Sequence, residues 1–326
     1  MSELPATTSI PELSGGDFSR LVKDLSLPPL PAAVSKLIAE INRPDPDMEE
    51  LIEVLSTCPE TAAKVLQTIN SSVFALRHPV VSVRHAAALL GLRHIRPIAL
   101  SFAVAGALPH PQEELFDHDG FWSDALIRAM FARAFASRCS PGERDVVFTG
   151  ALLADLAIPV LLLVWTNAYG AIPARWRTDA PRLSELERQA YGWDHGEAGA
   201  HIMEAWGLPR ELRQMVAMHT WNVNDIRDRD GAETGIVVAT AALVPSVQRP
   251  HAARAEQFVQ EAMTQFDMDA AEMVATIAQI RAEFEEICML FGVKGKRAFS
   301  ALDELVITAS RKGELPAASP AASAAA

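Results

Sequence analysis

Cysteine is scarce in this sequence: Cys58, Cys139 and Cys288 lie far apart in 326 residues, with no CxxC pair. An odd, scattered set excludes a disulfide scaffold and a zinc knuckle, and it suits a reducing, cytoplasmic compartment. Secretion is not expected either, because Glu3 stands where a secretory signal needs a basic start and no hydrophobic stretch follows. The most apolar run, Gly150 to Trp165, is interrupted by Asp155 and Pro159. It falls short of the ~18 uncharged residues of a membrane span and is expected to be a buried helix. Strand signals are few. No Asn-Gly or Asp-Gly pair joins alternating apolar runs, and Asp230-Gly231 lies in a polar stretch. The sequence also has no GxxxxGK(S/T) loop, no GxGxxG after a strand, no GxSxG elbow and no HExxH helix, which excludes the enzyme classes built on those signatures. Asp228 and Asp230 hint at a calcium loop, but its register would put Ile226 and Val237 at the first and twelfth ligand positions. A solvated loop is expected instead.

Hydrophobic residues make up 49% and charged residues 21% of the chain, the balance of a folded globular protein. Asp plus Glu outnumber Lys plus Arg by 41 to 29, and the formal charge of -12 disfavours nonspecific adhesion to DNA or anionic lipid. Helix punctuation recurs along the chain. Pro31 fits a first helical position, and Leu30, Val34, Leu37, Ile38 and Ile41 follow at helical spacing, with a stop near Pro44. Capping boxes are expected at Asp47 with Glu50, Ser184 with Glu187, Asp194 with Glu197, and Asp269 with Glu272. Pro59 starts a further helix, and Ser82 caps one that ends at Gly91, where the next begins and runs to about Ala107. Long helices are expected after Gly120 and from Val147 to Leu156, and Gly207 and Pro209 separate two more. Trp122, Trp193, Trp206 and Trp221 fall at apolar helical positions or helix ends and read as core. No repeat of 20 to 50 residues is visible, so the fold class is all-α without a regular solenoid.

Four passages, in this order, resemble the HDOD domains, bacterial signalling relatives of the HD-superfamily phosphohydrolases. They are LPPLPAAVSKLIAEIN from Leu27, then NSSVF from Asn70 with PVVSVRHAAALLGL from Pro79. FWSDALIRAMFARAFA from Phe121 and GALLADLAIPVL from Gly150 follow, and last come YGWDHGEAGAHIMEAWGLP from Tyr191 and AMHTW from Ala217. The resemblance implies a multi-helix bundle of two packed helical subdomains, over residues 21–112 and 113–222, the second a degenerate HD-like unit. A helical extension over 223–310 and disordered ends at 1–20 and 311–326 complete the expected organisation.

HD hydrolases hold one or two divalent metals that activate water and neutralise phosphoryl oxygens. Against the family pattern, Asp124 stands where the first His is expected, and Ala154-Asp155 where His-Asp is expected. Two imidazoles are missing. His195 and His219 remain, so Asp124, Asp155, His195 and His219 could still converge, but Ala154 cannot ligate, and neither metal, cofactor nor catalysis is expected. The resemblance implies a noncatalytic signalling or scaffold protein that binds other regulators, with cyclic-di-GMP signalling as its setting. A metal-dependent phosphohydrolase and a non-hydrolysing nucleotide sensor stay open as alternatives.

One feature is independent of the resemblance. Thr61 to Gln112 contains no Asp or Glu, yet holds Lys64, Arg77, Arg84, Arg93 and Arg96 and four histidines. Either this part docks on acidic helices of the same chain, for instance those bearing Glu113, Glu114, Asp117 and Asp119, or Arg77, Arg84, Arg93 and Arg96 form a face for an acidic partner or a cyclic dinucleotide. DNA is disfavoured as a partner, because the helix after Arg96 is almost wholly apolar and a recognition helix needs an exposed polar face.

Overall fold

The computed structural model describes Phe18 and residues 27–43, 47–72, 74, 76, 78–177, 181–249 and 252–314. Helices are the only regular elements among them, and no strand is present. In chain order they are α1 (Ala32–Ile41), α2 (Met48–Ser56), α3 (Pro59–Ile69), α4 (Val83–Leu90), α5 (Leu92–Ala107), α6 (His118–Cys139), α7 (Arg144–Leu152), α8 (Ala157–Val164) and α9 (Thr166–Tyr169). They continue as α10 (Ala171–Trp176), α11 (Leu183–Tyr191), α12 (His195–Ala205), α13 (Arg210–Met218), α14 (Val223–Ile226), α15 (Ala232–Ala241), α16 (Ala252–Gln265), α17 (Ala270–Leu290) and α18 (Lys296–Glu314).

Most of the capping residues read from the sequence do start helices. Asp47 accepts from the Glu49 amide at 2.7 Å, Ser82 from the His85 amide at 3.1 Å, and Asp269 and Glu272 close a full capping box. Pro31 is the cap of α1 rather than its first residue. Glu50 does not cap α2 in return; its carboxylate pairs with Arg43. Gly91 joins α4 to α5 with φ +81°, a left-handed conformation that a Cβ disfavours although nothing crowds the position.

α6 is the axis of the molecule. Asp117 caps it by accepting from Gly120 at 2.9 Å, so it begins before Gly120 rather than after it. It is buried nearly all round and packs against α7, α15, α17 and α18. The expected helix from Val147 to Leu156 is broken. α7 ends at Leu152, a turn carries Ala154 and Asp155, and α8 restarts at Ala157. Pro159 explains the break: it has no N–H to give the Asp155 carbonyl and its ring would clash there, so it lies in the first turn of a new helix. The stretch from Arg144 to Val164 is long and apolar enough to cross a membrane by composition, but 78% of its most apolar 18-residue window is buried inside the fold.

The buried apolar residues form one contiguous cluster reaching from Phe18 to Ala309, with a small satellite around Met218 and Ile226. Phe18 lies in the segment expected to be disordered, yet it is fully buried against Trp193 and Trp165. At the other end α18 runs to Glu314, past the expected start of the tail at 311. Trp122 and Trp193 are buried, and Trp206 and Trp221 are half-buried, with the Trp206 indole donating to the Pro28 carbonyl at 3.2 Å.

α12 and α13 cross closely because Gly199 has no side chain. A Cβ there would meet the Val216 Cγ1 at 2.7 Å, and a branched side chain cannot swing away. Replacing Gly199 by Ala gains up to ~1 kcal/mol of helix propensity but overpacks this crossing at a cost of ~1–3 kcal/mol. Urea unfolding of Gly199→Ala should therefore show a lower midpoint with an unchanged slope; a midpoint at or above wild type would contradict the close crossing.

Candidate functional site

Asp155 is presented by the turn between α7 and α8, His195 by the first position of α12, and His219 by the end of α13. All three are buried. Asp155 Oδ1 lies 3.2 Å from His195 Nε2 and 3.2 Å from His219 Nε2, and the two imidazole nitrogens are 3.1 Å apart. The second oxygen of Asp155 accepts from the guanidinium of Arg128, which reaches in from α6.

Outer partners fix both rings. His219 Nδ1 donates to the Val216 carbonyl at 2.6 Å, and His195 Nδ1 donates to Glu187 at 2.5 Å. Glu187, fully buried on α11, also accepts from the His195 amide and the Tyr169 hydroxyl. The helix α11 starts at Leu183 behind Arg182, so the capping box expected at Ser184 with Glu187 does not form. Glu187, like Arg128, is instead a residue that sequence reasoning missed at the site. Its only signal was a carboxylate on the buried side of an amphipathic helix. Asp194 caps α12 as expected, accepting from Gly196 and Glu197, and pairs with Arg188.

These contacts settle the charges. Burial alone would make His195 neutral, but Glu187 and Asp155 push it up to about 10, so it is an imidazolium at neutral pH. Its Nε2–H points between Asp155 and the Nε2 of His219. Burial would likewise raise Asp155, yet Arg128 and His195 hold its carboxyl well below the usual range. Arg182 is lowered to about 10 by burial and then by the charge of Arg128.

Asp124 does not join the group. It is buried on α6 and absorbed by the segment after α15, accepting from the Ser246 hydroxyl at 2.5 Å, the Val247 amide at 2.7 Å and the Gln248 side chain at 3.0 Å. Burial pushes its carboxyl up. Ala154 is buried beside Asp155 and supplies no ligand. Of the four residues that could have converged, three do. The ligating atoms of Asp155, His195 and His219 lie within 4.8 Å of one another, and both histidines carry the outer hydrogen bonds that metal-bound imidazoles use. That donor set fits one divalent ion and not two. Such an ion would supply a Lewis acid for a phosphoryl oxygen and would have to displace the His195 proton beside an arginine already bound to Asp155.

Among the described residues the arginines of the basic stretch are differently engaged, although Arg93 and Arg96 line one cavity. Arg84 makes a forked pair with Glu49 on α2. Arg96 is half-buried, its guanidinium lowered by burial against the charges of Glu40 and Glu211. Arg93 is exposed and donates to its neighbour His94 at 3.0 Å. Arg77 lies outside the described residues. Two of the acids expected to receive this stretch turn elsewhere: Asp117 pairs with Arg297 and Asp119 accepts from the Lys294 amide, both before or within α18.

The family model described as the HDOD domain matches residues 27–221, more than half of the chain. The chain belongs to the HDOD domain family. Its fold is shared by an HDOD domain protein of unknown function from Geobacter sulfurreducens, at 17% identity, with a TM-score of 0.60 over 88% of this chain and 96% of that one. A protein from Shewanella amazonensis SB2B, provisionally named a phosphohydrolase, is 21% identical with a TM-score of 0.58 over 92% of this chain and 98% of that one. One from Marinobacter aquaeolei VT8, provisionally named a signal transduction protein, is 21% identical with a TM-score of 0.57 over 89% and 61%. An uncharacterized protein of Treponema pallidum (strain Nichols) is 22% identical over 204 residues, which are 59% of this chain and 37% of that protein. The aligned stretch therefore spans little more than a third of that curated relative. Within the HDOD fold, Asp155, His195 and His219 occupy the place where α6, α7, α12 and α13 meet.

A group whose folded pKa is raised stabilises below its unfolded value and loses that contribution as pH rises to the folded value. For His195 the window runs from about 6.5 to about 10. The melting temperature should fall across that window, and Glu187→Gln should be less stable near neutrality with a shallower alkaline fall. A parallel decline in both proteins would contradict the assignment of charge to His195.

Proposed function

We propose that this HDOD protein is a noncatalytic, cytoplasmic signalling protein that works by binding other regulatory proteins, in a second-messenger pathway such as that of cyclic di-GMP. The observation that carries the noncatalytic reading is the ion pair of Arg128 with Asp155. A guanidinium supplies, from the chain itself, the positive charge that a hydrolase takes from its metal. It does not activate water, because it has no open coordination position. Ala154 in place of an imidazole and the engagement of Asp124 with Ser246, Val247 and Gln248 support the same reading. The signalling role and its setting rest on the family resemblance and accord with the provisional name of the Marinobacter aquaeolei neighbour.

A second reading, a metal-dependent phosphohydrolase with an altered ligand set, is favoured by the triangle of Asp155, His195 and His219. The two separate in a direct assay. Bis(p-nitrophenyl) phosphate and cyclic di-GMP, incubated with the purified protein and manganese, should remain intact at the rate of the buffer blank. Turnover that disappears in His195→Ala would establish the hydrolase instead.

A further inference from the structure

The cavity in front of Asp155 is lined by five arginines, Arg128, Arg177, Arg182, Arg249 and Arg254, and by two carboxylates, Asp124 and Asp155, among the described residues. Its charge is therefore strongly positive. Three of the arginines are held by main-chain carbonyls. Arg177 donates to Leu115 at 2.9 Å, Arg182 to His219 at 3.4 Å, and Arg249 to Trp176 and Pro181 at 2.9 and 3.1 Å. Among the described residues none of these three forms an ion pair with a carboxylate. A carbonyl fixes a guanidinium in place without neutralising it, so these forks are positioned and still carry full charge.

Two further facts point to a ligand. The Nε of Arg128 is buried without a hydrogen-bond partner, although its Nη1 is committed to Asp155. Burying a charged donor unmatched is costly, so Arg128 keeps unmet hydrogen-bonding capacity in the wall of the cavity. The cavity offers about 100 Å³ to the centre of a water-sized sphere, several times the ~10–15 Å³ that one water needs on that measure, so a tetrahedral oxyanion fits. The walls between the arginines include Phe116, Phe121, Ile158 and Leu162, which lower the local dielectric and strengthen any charge interaction within.

We infer that this cavity binds a single phosphate group, either inorganic phosphate or the terminal phosphate of a small molecule whose remainder stays at the mouth, and that Arg128, Arg182 and Arg249 hold it. The inference extends the noncatalytic reading to the ligand of the same site, since the group is bound and not cleaved. A dianion matches the surplus of guanidiniums better than the singly charged diesters of a cyclic dinucleotide, which have no terminal phosphate to insert.

The test is calorimetric titration of the full chain in a chloride buffer with EDTA, so that no metal mediates binding. Inorganic phosphate, adenosine monophosphate and cyclic di-GMP are injected separately. Saturable one-to-one binding of phosphate is expected. Tighter binding of the nucleotide monophosphate would identify a phosphorylated small molecule as the source, and equal or weaker binding would identify free phosphate. Arg182→Gln and Arg249→Gln should each weaken binding by about tenfold, the loss of one charge-assisted contact. Because both arginines also hold carbonyls, each variant is checked by circular dichroism, and Arg182→Lys, which keeps the charge but not the fork, should fall between wild type and Arg182→Gln. No saturable phosphate binding to the wild type at millimolar concentration, or equal binding to folded variants, would overturn the inference. Preferential binding of cyclic di-GMP would overturn it as well. Hydrolysis of adenosine monophosphate or cyclic di-GMP with metal restored would overturn the noncatalytic reading and leave the anion site standing.

Discussion

A buried carboxylate, Asp155, is the constraint on which the centre of this molecule depends. Taking a carboxylate out of water costs several kcal/mol unless it is paired and its remaining lone pairs are satisfied. Here Arg128 comes from α6, His195 from α12 and His219 from α13, each to meet one of its oxygens. The demand then spreads. His195 is charged, so a second buried carboxylate, Glu187 on α11, must compensate it, and Tyr169 in turn donates to Glu187. Five helices and one short helix are held in register by this chain of charges, each link tolerable only because the next is present. Pro159 begins the chain, since the helix break it enforces turns Asp155 inward at the end of α7.

Much of the fold was legible because helix boundaries are local. Asp47, Pro59, Ser82, Gly91, Asp194 and Asp269 all mark ends that the backbone observes, and each acts on an N–H or a φ angle within four residues. Local reasoning fails where a residue has a distant use. Ser184 and Glu187 have capping spacing, but Glu187 serves a histidine across the bundle. Asp124 matches the position of an expected ligand, yet a loop more than a hundred residues later consumes it. In the acid-free stretch the sequence shows the charges but not their partners: Arg84 finds Glu49 on an adjacent helix, and Asp117 and Asp119 go to the C-terminal segment.

That C-terminal segment is where the resemblance was weakest and where tertiary contacts carry most of the information. α17 packs on both α6 and α3, and Glu286 accepts from the amide and hydroxyl of Ser72. Phe291, just beyond α17, stacks on Phe102 and Trp122. The extension thus ties the first helices to the central one through contacts far apart in sequence, and a change near Asp155 need not stay local.

The central claim is that Arg128 occupies, in charge, the role of a metal at Asp155. Calorimetric titration of manganese into the wild type and into Arg128→Ala tests it most directly. Weak or no binding by the wild type, and at least about tenfold tighter binding once the arginine is removed, is the predicted result, because one Asp155 oxygen is then released and only the His195 proton is left to displace. Stoichiometric, tight binding by the wild type that is unchanged or weakened in Arg128→Ala would contradict the account.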